Sequence, residues 1–229
     1  MTAAITGISS MATRQILTEL SVAFEQRSGR PVAIESIGGV DAAKRLRAGE
    51  TFDIVVLADD AMKQLEADKF LVAGSCAGFA RSGMAVAIRS QARRPDLANE
   101  EALKSAVLGA RSIGYSTGPS GTHIINLLKK WGIDQVVSGR LVKASPGVPV
   151  GSLVASGEAE LGFQQLSEFL DVPGIEIVGP LPPEVQSATL FTCGVCARTE
   201  NEGGARDLIQ YLTSSEADAS KRRRGMEPA

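Results

Sequence analysis

Side chains able to do chemistry are few in this chain. It has one histidine, His123, and three cysteines, Cys76, Cys193 and Cys196. Cys193-Gly194-Val195-Cys196 has the C-x-x-C spacing of a redox pair, but it lies in the apolar run from Leu190 to Ala197, which reads as a strand. Residues three apart on a strand point to opposite faces, so the two thiols do not converge. A zinc site needs a second pair, and only Cys76 and His123 remain for it. No metal and no cofactor is therefore expected. A more productive pattern is a set of four turns. Ser9-Ser10-Met11 follows the first apolar run and Ser36-Ile37-Gly38-Gly39-Val40 the second, Gly118-Pro119-Ser120-Gly121-Thr122 opens a third helix, and Gly147-Val148 a fourth. A helix start offers unpaired N–H groups and a partial positive charge, which together hold anions. These turns predict a small anionic ligand. None is a phosphate loop, because Gly114 to Gly121 lacks the lysine that pattern needs, and no G-x-G-x-x-G follows the first strand. Gly118-x-Ser120-x-Thr122 falls one glycine short of a nucleophile elbow. His123 is the residue type for general base work, with Ser120 beside it as a second catalytic candidate and Glu168 a weaker one.

The elements that must position these turns alternate between strand and helix. Ala3 to Ile8 reads as a strand, and Ser9 or Ser10 as the cap of a helix that keeps Ile16, Leu17, Leu20 and Phe24 on one face until Gly29 and Pro31. Val32 to Ile37 is a strand broken by Gly38-Gly39, and Phe52 to Ala58 is a buried strand before a helix that Asp59 and Asp60 are expected to cap. This alternation predicts an α/β chain with a parallel sheet. Beyond Gly83 the rhythm continues with a helix from Ile124 to Trp131, strands at Leu161 to Gln165 and Leu190 to Ala197, and a last helix through Leu208 and Leu212.

Composition sets the outer limits. Of 229 residues, 44% are apolar and 22% charged, as expected of a folded globular protein. The formal net charge of −2 and an aromatic content of 4% give neither the field nor the stacking surface that nucleic acid needs, so no nucleic-acid partner is expected. Lys221-Arg222-Arg223-Arg224 reads as a solvated helix end. No apolar run reaches the roughly 18 residues that span a bilayer, so membrane insertion is not expected. The segment from Met1 to Ser9 lacks a basic region followed by an apolar stretch, which places the chain in the cytoplasm as it stands, or in the periplasm if a leader was removed.

Three stretches carry a family resemblance: Arg47 to Asp59, with Phe52-Asp53-Ile54-Val55-Val56; Val154-Ala155-Ser156-Gly157-Glu158-Ala159-Glu160-Leu161-Gly162-Phe163; and Arg224-Gly225-Met226-Glu227-Pro228. In these the chain resembles the type 2 periplasmic-binding-protein superfamily, on the branch of the molybdate-binding proteins. That resemblance implies two Rossmann-like α/β lobes with a ligand cleft between them, one lobe from residues 1–81 and 188–229, the other from 82–187. It implies a hydroxyl contact at Ser9 or Ser10. The second loop, where serines are usual in that family, reads Gly38-Gly39-Val40, and the expected tyrosine is replaced by Gln165. Gln164, Gln165 and Arg81 offer amide and guanidinium donors instead, which suit planar carboxylates. The segment around Gln164-Gln165-Leu166-Ser167-Glu168 also resembles bacterial aconitate isomerases, which implies a polycarboxylate substrate and an allylic proton shift. The alternative is a non-catalytic solute receptor, and a permease partner belongs to that alternative alone.

Overall fold

The computed structural model describes residues 3–145 and 147–229; Met1 and Thr2 of the leader reading, and Pro146, lie outside the described residues. The chain divides into two units, Met1–Ser82 with Thr189–Ala229, and Gly83–Ala188.

In the first unit, β1 (Ile5–Ser10), α1 (Arg14–Ser28), β2 (Val32–Ile37), α2 (Gly39–Arg47), β3 (Ile54–Ala58) and α3 (Asp59–Ala67) follow one another, and β4 (Ala77–Arg89) then runs out of this unit into the next. β1 lies between β2 and β3, parallel to both, with Ser9 opposite Ser36. β3 is buried on both faces, which accounts for its unbroken apolar run. Ile54 and Val56 join Ile16, Leu17, Leu20 and Phe24 of α1, while Val55 and Leu57 join Ala42 and Leu46 of α2 and Met62 and Leu65 of α3. Asp53 fixes the start of the sheet, accepting from the Thr6 N–H at 2.7 Å. α1 ends at Gly29, whose φ of 69° is the left-handed conformation that glycine adopts without steric cost.

The second unit holds α4 (Glu100–Gly109), β5 (Ile113–Tyr115), α5 (Pro119–Lys130), α6 (Asp134–Val137), β6 (Leu141–Lys143), α7 (Val150–Ser156), β7 (Leu161–Gln165), α8 (Leu166–Phe169) and β8 (Ile175–Pro180). β5 is parallel to β6 and β7, whereas β7 and β8 run antiparallel to β4. Along β4, Met84, Val86 and Ile88 face a core with Ile113, Ile124, Leu128 and Phe163; Ala85 and Ala87 face Val150, Val154 and Phe169 on the other side.

The chain then returns to the first unit with β9 (Ala188–Val195), α9 (Glu202–Thr213), α10 (Asp218–Arg223) and β10 (Glu227–Pro228). β9 is antiparallel to β3, and β10 is antiparallel to β4 at Arg81 and Ala80. The sheet is thus mixed, not parallel throughout: parallel pairing holds wherever a helix crossover links the strands, and the strands that break it are those that enter or leave a unit. The basic run is also tied down. Lys221 is 1% exposed, with its ammonium over the Phe79 ring and 3.4 Å from Asp218, and Arg223 and Arg224 both bond Glu19. Among the described residues no helix is long and apolar enough to cross a membrane.

Candidate functional site

At the end of β1, Ser9 is fully buried and its Oγ shares a 2.7 Å hydrogen bond with Ser36 Oγ, the register partner on β2. Ser10 precedes a 3-10 turn at Met11–Thr13 but makes no side-chain cap bond; Thr13 Oγ1 donates to the Ser10 carbonyl instead, at 3.0 Å. Ser10 is 7% exposed, and its Oγ is buried with no hydrogen-bond partner among the described residues. A buried hydroxyl without a partner costs on the order of 1–3 kcal/mol and calls for an explanation. The explanation lies beside it, at the start of α2. Gly38 is the N-cap and Gly39 the first helical residue, and a Cβ on Gly39 would stand 3.6 Å from Ser10 Cβ. The unsatisfied N–H groups of the first α2 turn and the Ser10 hydroxyl therefore form one donor set. Asp41 sits in the same turn and is paired with Lys44 at 3.4 Å. Val40 stands exposed and Met11 half-buried at the edge of this set.

Arg81 is exposed on β4 and makes no ion pair among the described residues. Its field reaches Asp59, whose carboxyl is held below its ordinary range first by the bond to Lys63, with smaller help from Thr192 and Arg81. Asp59 accepts from Thr192 Oγ1 at 3.0 Å and from Lys63 at 2.7 Å, so it does not cap α3 as its position suggests; Ala58 is the N-cap.

In the second unit, Gly118 caps α5 and Pro119 opens it. Ser120 is 2% exposed, and its Oγ lies 2.9 Å from Ser116 Oγ. A Cβ on Gly121 would fall 1.7 Å from the Ser116 carbonyl oxygen, so only glycine lets strand end and helix start approach this closely. Thr122 is exposed and its N–H returns to Gly118 O at 3.1 Å. His123 Nε2 is 2.8 Å from the Val185 carbonyl. A carbonyl only accepts, so the neutral ring carries its proton on Nε2 and Nδ1 keeps its lone pair. Gly147, with φ 78°, and Val148 do not open a helix: α7 starts at Val150 with Pro149 as N-cap, and the Val148 N–H donates to Ser145 O at 3.0 Å.

Gln164 and Gln165 are not a solvated strand end, since each is 2% exposed. Gln164 Oε1 accepts from the Val150 N–H at 2.8 Å, and Nε2 donates to Glu168 Oε2 at 2.6 Å. Desolvation pushes the Glu168 pKa up to about 7, against the lowering effect of the Gln164 bond. Both C-x-x-C thiols are buried and free. Burial pushes the Cys193 pKa far up and Cys196 up to about 12, so neither supplies a thiolate.

Sequence reasoning placed Ser36 in the second turn without naming it a site residue, and passed over Ser116. Each supplies the hydroxyl partner of a candidate serine, and each stands two residues before a glycine that caps a helix. That spacing is the signal that could have found them.

The chain matches the family model described as bacterial extracellular solute-binding protein over residues 5–227. An aconitate isomerase from Pseudomonas sp is 33% identical, the match covering 98% of this chain and 87% of that protein. The molybdate-binding protein ModA of Azotobacter vinelandii is 26% identical over 88% of this chain and 81% of its own. The solved structure of the periplasmic molybdate-binding protein of Azotobacter vinelandii superposes with a TM-score of 0.82 at 20% identity, covering 97% of this chain and 98% of that one.

Proposed function

The chain belongs to the bacterial extracellular solute-binding protein family, and on that premise we propose that it captures a small polycarboxylate and moves a double bond within it, as an isomerase of cis- and trans-aconitate. The observation that carries this reading is the start of α5, where His123, with its Nδ1 lone pair, stands two residues after Gly121 and just past the first turn, which we read as an anion site. A receptor needs the anion site alone; a base this near the helix start adds a means of proton transfer. In the reaction a base takes a proton from the methylene beside a substrate carboxylate. The electron pair spreads into an allylic anion, the N–H groups at the α5 start stabilise the charge, and the proton returns at the other end of the allyl system. Nothing is oxidised or reduced, so no cofactor enters. The similarity to the Pseudomonas enzyme along nearly the whole chain supports the same reading.

A second reading is favoured by the hydroxyl set Ser9, Ser10 and Ser36: a non-catalytic receptor for an oxyanion or carboxylate, working in the periplasm with a permease partner. The first reading needs no permease and goes with a cytoplasmic location. A proton NMR time course with each aconitate isomer separates the two. Appearance of the other isomer is expected; binding without turnover over hours would leave the receptor. On either reading Arg81→Ala is expected to weaken carboxylate binding roughly ten- to hundredfold, the worth of one charge-assisted contact, with an unchanged circular dichroism spectrum. Unchanged affinity would remove Arg81 from the site.

A further inference from the structure

We infer that the outer edge of the first unit, where α1 runs along β2, is a surface by which two copies of this chain pair across a two-fold axis. β2 ends its sheet, with β1 as its strand neighbour among the described residues. The Ile5 N–H donates to the Pro31 carbonyl at 2.8 Å. Successive residues of a strand turn their N–H and C=O to opposite sides, so Ala33, Glu35 and Ile37 bond β1, and Val32, Ile34 and Ser36 face outward. The Val32 N–H is taken by Glu25 Oε1 at 2.6 Å. The N–H groups of Ile34 and Ser36, and the outward carbonyls, have no partner among the described residues. Sheet edges are usually blunted by proline, lysine or a bulge. From Val32 to Ile37 there is no proline, no lysine and no break in register, and the one charge, Glu35, is paired with Arg45 at 2.6 Å.

The helix beside this edge selects what fits it. α1 links two parallel strands and so runs antiparallel to β2, with Arg14 level with Ser36 and Glu25 level with Val32. An open cavity of about 260 Å3 lies between them. Its lining includes Val22, an apolar side chain left 49% exposed, and Ser21, which is 8% exposed and whose Oγ has no hydrogen-bond partner among the described residues. Arg14, exposed at one end, makes no ion pair among the described residues. A second copy turned about an axis beside Ile34 sets β2 antiparallel to β2, with Ile34 opposite Ile34 and Ser36 opposite Val32. Every free N–H of the edge then finds a carbonyl. The same rotation brings Arg14 of each copy to Glu25 of the partner subunit, so opposite charges meet at both ends. It brings Ser21 to Thr18 of the partner subunit; Thr18 Oγ1 donates to the Arg14 carbonyl at 2.9 Å and keeps lone pairs to accept. With strands about 4.8 Å apart, helices seated over the β1–β2 pair of each copy lie about 10 Å apart, the distance at which helices pack. The surface is thus complementary to itself, as a two-fold contact requires.

Sedimentation velocity of the full chain, without ligand, is expected to show a monomer–dimer equilibrium. Arg14→Glu sets like charges face to face at both ends of the contact and is expected to weaken the dimer roughly tenfold, the worth of two exposed ion pairs. Val22→Asp puts a carboxylate into the apolar part of the contact and is expected to weaken it at least as much. Both positions are exposed, so an unchanged circular dichroism spectrum is expected. Val136→Asp, at a more exposed apolar side chain of the second unit, is the control and should dimerise as the wild type does. Hydrogen exchange identifies the edge itself. The Ile34 and Ser36 amides are expected to exchange more slowly as protein concentration rises, with a smaller change at Ala33 and Glu35, whose N–H groups face β1. A chain that stays monomeric at about 100 µM, weaker than specific interfaces bind, overturns the inference. So does a dimer that Arg14→Glu and Val22→Asp leave intact, or one in which Ile34 exchange does not depend on concentration. If the variants do not fold, the wild-type exchange decides it.

Discussion

At Glu168 burial raises the carboxyl pKa from 4.5 to about 7, so the folded chain holds this proton more tightly than the unfolded chain does. The group therefore favours folding below pH 4.5 and progressively less as pH climbs to 7, beyond which the loss levels off. Glu168→Gln is expected to raise the unfolding free energy above pH 7 by roughly 2–4 kcal/mol, at about 1.36 kcal/mol per pKa unit, and to change it little at pH 4. Urea titrations at pH 4 and pH 8 check this; equal midpoint shifts at both would show that the charge is not buried. Gly39 allows a second test. A Cβ there meets Ser10 Cβ at 3.6 Å and Leu57 Cδ2 at 3.8 Å, ordinary contacts, so serine fits. Gly39→Ser is expected to fold and to shift preference from aconitate toward molybdate by adding a hydroxyl next to Ser10. Unchanged relative affinities would show that the α2 start does not select the ligand. At this scale the sequence revealed residue types but not their engagement. Ser10 and Ser120 look alike as helix-start serines, yet only Ser120 has a hydroxyl partner. Gln164 looks like a ligand donor, yet both ends of its amide are held inside the second unit.

Elements were legible where apolar periodicity ran long enough. The stripes of α1, α5 and α9 and the doubly buried β3 stand out because each must fill a core. α8, α10 and β10 did not stand out, having four, six and two residues, too short for any period to show. β4 is longer than its apolar half, Met84 to Ile88, because in its first half only Phe79 and Ala80 fill the core while Gly78, Arg81 and Ser82 interrupt the apolar run. The junction of β5 with α5 depends on a single glycine. Gly121→Ala would drive a methyl into the Ser116 carbonyl, and is expected to cost roughly 3 kcal/mol or more, with loss of ligand binding. Gly203→Ala in α9 is the matched control: a Cβ there meets nothing within 4 Å, and stability should rise by about 0.5–1 kcal/mol. Thermal unfolding of the two variants checks the pair, and equal shifts would refute the steric argument.

On the scale of the whole molecule, the last residues complete the first unit. Met226 is 1% exposed in the core that holds Ile16, Phe79 and Leu208, and Glu227–Pro228 pairs with β4. Met226→Ala is expected to cost about 2–5 kcal/mol, read as a lowered urea midpoint; a change under 0.5 kcal/mol, the size of an ordinary surface effect, would mean that the terminal segment is not part of the core. The same arrangement sets an order of events during synthesis. β3 leaves the ribosome about 130 residues before β9, its antiparallel neighbour, a delay of roughly ten seconds at 5–20 residues per second. Through that interval the nascent chain carries a three-stranded ribbon, β2-β1-β3, whose apolar last strand has an open edge. The second unit is contiguous in sequence and has all its strands before β9 exists. The middle of the protein is thus ready to fold before its beginning, and the open edge of β3 is where a chaperone or a second nascent chain would bind in the meantime.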